Sequence, residues 1–247
     1  MTELYKWGIE VITAIQTISS PFLTVIIRFI TSFSGEVFFI FVLALLFWAG
    51  DKSKGAKIAF LILLSAAVNI ILKNTLQVLR PYQQDPSVFI ITEKGFSTPS
   101  GHSQFAATFW PYFSYLYLKN KKALGITLSI TIPIIIGFTR IYLGVHFPTD
   151  VLLGLVLGYL FSTGAILFTK DISIQYNKLP RIFKILFFAL IAFTFNYLCP
   201  ADTSINGVFF GFGLGYVFLN EKTSFEGKNG KWHQKVLRLL QIGRASS

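Results

Sequence analysis

Three short segments of this sequence hold the side chains most able to do chemistry: Lys73 to Pro81, Pro99 to Ser103 and Thr139 to Asp150. In the first, Lys73 and Arg80 stand seven residues apart, about two turns of a helix, so a continuous helix would set both on one face. Two cations so placed can bracket a polyanion, or simply snorkel to lipid headgroups. In the second, Pro99-Ser100-Gly101-His102-Ser103 reads as the start of a helix, with Pro suited to a first turn. The backbone N–H groups of Ser100 and Gly101 suit an anion there, with His102 beside it. The third runs Thr139-Arg140-Ile141-Tyr142-Leu143-Gly144-Val145-His146-Phe147-Pro148-Thr149-Asp150. Pro148 marks another helix start, with His146 just outside it and Asp150 in its first turn. Asp150 there can accept a hydrogen bond from one imidazole nitrogen, fixing the tautomer and leaving the other nitrogen free as a nucleophile. The plainer use of Asp150 is as a favoured charge at a helix N-terminus.

These residues must be positioned by apolar elements. Of 247 residues, 53% are hydrophobic and 13% charged, about half the charge of a soluble domain. Mean hydropathy is +0.61. That composition excludes a disordered tail and an ordinary cytosolic domain, and it predicts a polytopic, all-α membrane protein. Strands have no place in hydrocarbon outside closed barrels. Seven helices are expected to span, near residues 35–50, 57–72, 105–118, 123–138, 150–169, 181–198 and 205–219. The net charge of +11 falls in short connections between them, which reads as topology and not as nucleic-acid binding. The single Cys199 excludes an internal disulfide or a thiolate zinc cluster. The first apolar stretch is too long for a cleavable leader, and none is expected.

Residues 7–32 carry polar side chains (Glu10, Thr13, Thr17, Ser20, Thr24, Arg28, Thr31) every three or four positions, a stripe down one helical face. Such a segment lies in the membrane interface or spans with its stripe turned inward; Pro21 favours two interfacial helices. Basic connections at 51–57, 119–122 and 170–184, with a basic amphipathic tail after Glu221, are expected on the cytoplasmic side. Residues 73–103, 140–150 and 199–204 then share the external face, so all three motifs meet there. Gln83, Gln84 and residues 94–97 are candidates for substrate selectivity.

Lys-x6-Arg-Pro, Pro-Ser-Gly-His and (Ser/Thr)-Arg-x5-His-x3-Asp, in this order, resemble the type 2 phosphatidate phosphatase superfamily, which includes the vanadium haloperoxidases. The resemblance covers about residues 35–169. It implies a six-element phosphatase core in a transmembrane helical bundle. The flanking parts are an amphipathic segment 1–34, two additional helices in 170–220 and a basic tail 221–247. It implies that His146 attacks phosphorus with Asp150 holding its ring. His102 protonates the leaving oxygen and later activates water. Lys73, Arg80, Ser100, Gly101 and Arg140 cradle the phosphate, without metal or other cofactor. Thr139 stands where the family usually has Ser, and keeps the hydroxyl. The expected substrate is a lipid phosphate: phosphatidate, phosphatidylglycerol phosphate, undecaprenyl diphosphate, a lipid A phosphate or a sphingoid phosphate. The expected setting is a bacterial inner membrane. A soluble sugar phosphate, or a silent transport or structural role, are the alternatives. Nothing in the chain specifies an oligomeric state.

Overall fold

A computed structural model describes residues 3–200, 203–222 and 233; the basic tail otherwise lies outside the described residues. Among the described residues, ten α-helices follow one another: α1 (Glu3–Gln16), α2 (Pro21–Ser32), α3 (Glu36–Trp48), α4 (Lys52–Leu76), the single turn α5 (Pro81–Gln84), α6 (Gly101–Tyr117), α7 (Lys122–Tyr142), α8 (Pro148–Lys178), α9 (Arg181–Leu198) and α10 (Ser204–Lys222). A 3-10 turn at Pro86–Val88 interrupts the long connection before α6. Local chemistry sets several of the starts. Ser20 caps α2 through its hydroxyl and Asp51 caps α4 through its carboxylate, each accepting the N–H three residues on. Pro opens α2, α5 and α8, where its missing N–H costs nothing.

All seven expected segments are helices, and most run further than their apolar stretch. Four of them, α4, α7, α8 and α9, are long and apolar enough to cross a membrane by themselves. The remainder fall short of seven full spans for a physical reason. At 13 and 17 residues, α3 and α6 reach only about 20–25 Å, and α6 spends its first turn on polar residues. The chain ahead of α3 forms two helices, α1 and α2, that meet at a bend of 117°. Its polar stripe divides there. Glu10, Thr13, Thr17 and Ser20 are exposed, while Thr24 meets the Tyr142 hydroxyl at 3.0 Å and Thr31 is buried.

The bundle is centred on α6, which packs against α4, α7 and α8. Against α8 the approach is close: a side chain at Gly154 would stand 2.5 Å from the Ser100 carbonyl, and one at Gly158 would meet Ala107. Small residues four apart allow such contact between helices in lipid. Against α4 the contact is polar. Gln104 donates to the Ser65 carbonyl and hydroxyl, both at 2.9 Å, and accepts from Asn69 at 2.8 Å, while Thr108 meets Ser65 at 3.1 Å. In hydrocarbon these groups have no water to turn to, so the pairing fixes one register of α4 on α6. Phe39, Ile58, Ile62, Phe109 and Tyr112 fill the layer beyond.

The added pair α9 and α10 leans on α4, where Phe60 stacks on Phe188 with ring centroids 5.0 Å apart. Up-and-down order then decides which loops meet. The end of α4, the starts of α3, α6 and α8, and the end of α7 gather at one end of the bundle, with α1 and α2 against them. The basic connections lie at the other end, where Lys54 sits 4.8 Å over the Tyr117 ring.

Candidate active site

Helix α4 stops between the two cations of the first motif. Gln77 adopts a left-handed φ of +50° and caps the Lys73 carbonyl, so Arg80 lies beyond the helix, at the start of α5. The shared helical face expected for Lys73 and Arg80 is therefore absent. What unites them is the loop that follows. Lys73 Nζ donates to the carbonyls of Phe96 and Ser97. Arg80 Nε and Nη2 donate to those of Gly95 (2.9 Å) and Lys94 (2.7 Å), and Nη1 to that of Val145 at 3.0 Å. Each of these donors is thereby satisfied by a backbone carbonyl.

The third motif is delivered by a tight turn. Gly144 has φ +69°, and any side chain there would run into the Val88 carbonyl. Gln16 of α1 pins the same place, donating to the carbonyls of Val88 and Tyr142. Beyond the turn, Asp150 in the first turn of α8 accepts from the Phe147 N–H at 2.8 Å and from the hydroxyls of Ser97 and Thr98. His146 Nδ1 faces Asp150 Oδ2 at 3.6 Å, outside hydrogen-bond range, with the Ser97 hydroxyl at 3.5 Å. Its Nε2 faces the opposite way, 3.3 Å from Arg80 Nη1. His146 and Asp150 are each 1% exposed.

Arg140, at the last turn of α7, is equally buried. Its Nη1 donates to the Thr31 hydroxyl at 2.9 Å, while its Nε has no partner at all. Thr139 turns its hydroxyl back to the Ile136 carbonyl. In the second motif, Ser100 is occupied: its N–H donates to the Asp150 carbonyl and its hydroxyl meets Ser103. Ser100 thus ties α6 to α8. The N–H groups of Gly101, His102 and Ser103 form the first turn of α6 and have no acceptor four residues back within the helix.

One residue at the centre was not among the expected ones. The Glu93 carboxylate is held by both arginines: Oε2 accepts from Arg80 Nη1 at 2.9 Å, and Oε1 from Arg140 Nη2. His146 Nε2 stands 3.6 Å from Oε2, and His102 Nδ1 stands 3.9 Å from Oε1. Glu93 and Thr98 escaped the sequence reading, while Ser97 entered it only within the selectivity stretch 94–97 and Thr31 only in the polar stripe. For Glu93 the available signal was scarcity, since the chain has 11 acidic residues against 22 basic ones and this one lies between two motifs.

Lys73, Arg80 and Arg140 outnumber Asp150 and Glu93, so the pocket is an electropositive seat. Burial pushes the Glu93 carboxyl up, but His146, Arg140 and His102 override it and hold it well below the usual range. Burial also pushes the His146 imidazole below its ordinary value of 6.5, so the ring is neutral at neutral pH. A neutral imidazole nitrogen aimed at an anion seat built from two guanidinium groups, with a second imidazole across it, is equipped for nucleophilic attack on a tetrahedral oxyanion. Among the described residues, no three His, Cys, Asp or Glu side chains come together to hold a metal ion.

Comparison with known proteins finds relatives of the chain. The family model described as PAP2 superfamily matches residues 54–174, which include every motif residue named above. Phosphatidylglycerophosphatase B of Bacillus subtilis is 36% identical over 99 residues, covering 38% of this chain and 47% of that protein. An undecaprenyl-diphosphatase of Sulfolobus acidocaldarius is 31% identical over 108 residues, covering 41% and 50%. The chain thus spans about half the length of these curated relatives. The crystal structure of a transmembrane PAP2 type phosphatidylglycerolphosphate phosphatase from Bacillus subtilis superposes with a TM-score of 0.62 at 27% identity, over 70% of this chain and 89% of that one.

Proposed function

We propose that this chain, which matches the PAP2 superfamily model over residues 54–174, is an integral membrane phosphatase removing phosphate from a lipid phosphomonoester or diphosphate. The observation that carries this reading is the single anionic group clamped by Arg80 and Arg140, with His146 Nε2 and His102 Nδ1 both within 4 Å of it. In this reading the phosphoryl group takes that seat. His146 Nε2 attacks phosphorus, the bond to the leaving oxygen breaks, and His102 supplies the proton that oxygen needs. Water then attacks the phosphohistidine, His102 takes its proton, and inorganic phosphate leaves as the P–N bond breaks. Asp150 holds the nucleophile's ring.

Positioning and charge neutralisation dominate phosphoryl transfer. Arg80, Arg140 and Lys73, with the Gly101 N–H at the start of α6, are the groups that neutralise here, and the mechanism calls for no metal. The orphan Arg140 Nε is a further donor for a phosphate oxygen. A headgroup reaches the seat at the membrane boundary while its chains remain among the exposed apolar faces. Relatives named for a phosphatidylglycerophosphatase and an undecaprenyl-diphosphatase support a lipid substrate of either phosphate type. The basic connections at the opposite end support a cytoplasmic C-terminus and an external site.

The test is phosphate release by detergent-purified protein and its His146→Ala variant, with EDTA present, on a panel of lipid and sugar phosphates. Release from a lipid that survives EDTA and vanishes in the variant supports the reading. Chelator-sensitive release, or preference for sugar phosphates, overturns it.

A further inference from the structure

The seat for the substrate's phosphate is filled by the protein's own carboxylate. The hydrogen bonds that Glu93 accepts are those a phosphoryl group would accept, one oxygen on each guanidinium, and two histidines flank it as they would flank phosphorus. With Glu93 in place, Arg80 Nη1 and Arg140 Nη2 already donate to a carboxylate and are not open to a second anion.

Two features make this a removable occupant. The backbone of Glu93 is fixed from both sides by one phenol: Tyr82 Oη donates to its carbonyl at 2.9 Å and accepts from its N–H at 3.2 Å. The following residues are held in turn by Arg80 and Lys73. The loop therefore stays shut while the side chain, 26% exposed, has room to rotate outward. The occupant also has a structural use. Without an anion, Arg80 and Arg140 would be two buried guanidinium groups facing an empty pocket, which is costly.

We infer that Glu93 is an internal competing anion: it keeps Arg80 and Arg140 aligned in the unliganded enzyme, swings out when a phosphoryl group arrives, and displaces product phosphate on its return. This rests on the phosphatase reading for its substrate, but its direct test does not need turnover. A ligand that binds only the vacated state has its affinity reduced by the fraction of time the seat is free.

Inorganic phosphate and orthovanadate are the probes. Their dissociation constants are measured calorimetrically on the full chain in detergent, for wild type and Glu93→Gln, an isostere without the charge. The expected result is binding tighter by roughly tenfold or more in the variant, with a lower KM and a kcat that falls as phosphate is retained. Phosphate should also raise the variant's thermal midpoint more than the wild type's. Should Glu93→Gln fail to fold, Glu93→Asp keeps the charge on a shorter arm and is expected to give an intermediate gain. Phosphate binding that is unchanged, weaker or absent in the variants overturns the inference. Tighter phosphate with no hydrolysis of any substrate leaves the competing anion standing and removes the phosphatase reading. Hydrolysis with unchanged phosphate affinity does the reverse.

Discussion

The imidazole of His146, two residues before the start of α8, stands 3.6 Å from the carboxylate of Asp150 inside its first turn. That carboxylate is already engaged by the Phe147 N–H and by the hydroxyls of Ser97 and Thr98. It cannot move away from the ring without breaking three hydrogen bonds, so its position beside His146 is fixed.

Loss of one partner should therefore affect chemistry alone, and loss of the other both chemistry and folding. His146→Ala is expected to abolish phosphate release with little change in thermal midpoint. Asp150→Asn should lower kcat by about 10²-fold or more. It should also cost about 1–3 kcal/mol, because the new amide meets donors with a donor. Parallel measurement of kcat and thermal midpoint checks both.

The three cations should differ in what they tolerate. Arg140 and Arg80 each place more than one donor at fixed positions, so lysine is a poor substitute. Arg140→Lys and Arg80→Lys are expected to lower kcat/KM by about 10²-fold, and Arg80→Lys should also loosen residues 93–97 to limited proteolysis. Lys73→Arg should lose less. Equal losses in all three contradict this.

The pH profile follows from the burial of His146. Its pKa is pushed below 6.5, so the neutral, nucleophilic form persists into mildly acidic solution. Activity should fall only as that lowered pKa is crossed, which places the acid limb of kcat/KM below 6.5. A limb above that value, or a rate that keeps rising on acidification, would be inconsistent with His146 as the nucleophile.

Helix contacts should be as sensitive as the site. Gln104→Leu strands the partner atoms on Ser65 and Asn69 and should cost about 1–3 kcal/mol. Gly154→Val drives a side chain into the Ser100 carbonyl and should lower both thermal midpoint and activity, since Ser100 ties α6 to Asp150. Midpoints in detergent, followed by tryptophan fluorescence, check the ranking.

Much of this protein was legible as a string of residues. Apolar runs are long-range averages that survive without tertiary detail, so each of the seven became a helix. Motif residues were visible because His, Arg and Asp are rare in such a chain and stand out between apolar stretches. Pro148 marked a helix start, because a missing N–H is tolerated there, and Pro21 marked the break between two helices.

Other features depended on folding. The face shared by Lys73 and Arg80 dissolved because Gln77 turns the helix off, and a left-handed non-glycine residue leaves no compositional trace. Span lengths for α3 and α6, and the 117° bend ahead of them, are set by packing and by which residues the site requires. Ser65, Asn69, Gln104 and Thr108 look like scattered polar residues until α4 and α6 are laid side by side. Glu93 is the clearest case. In sequence it is an isolated acid in a loop, and its partners lie 13 and 47 residues away. Sequence alone marked the side chains expected to handle phosphate and determined that apolar helices would carry them. Only the tertiary structure decided that a carboxylate from the protein itself holds that seat, because electrostatic pairing across a buried pocket depends on distance in space and not on spacing along the chain.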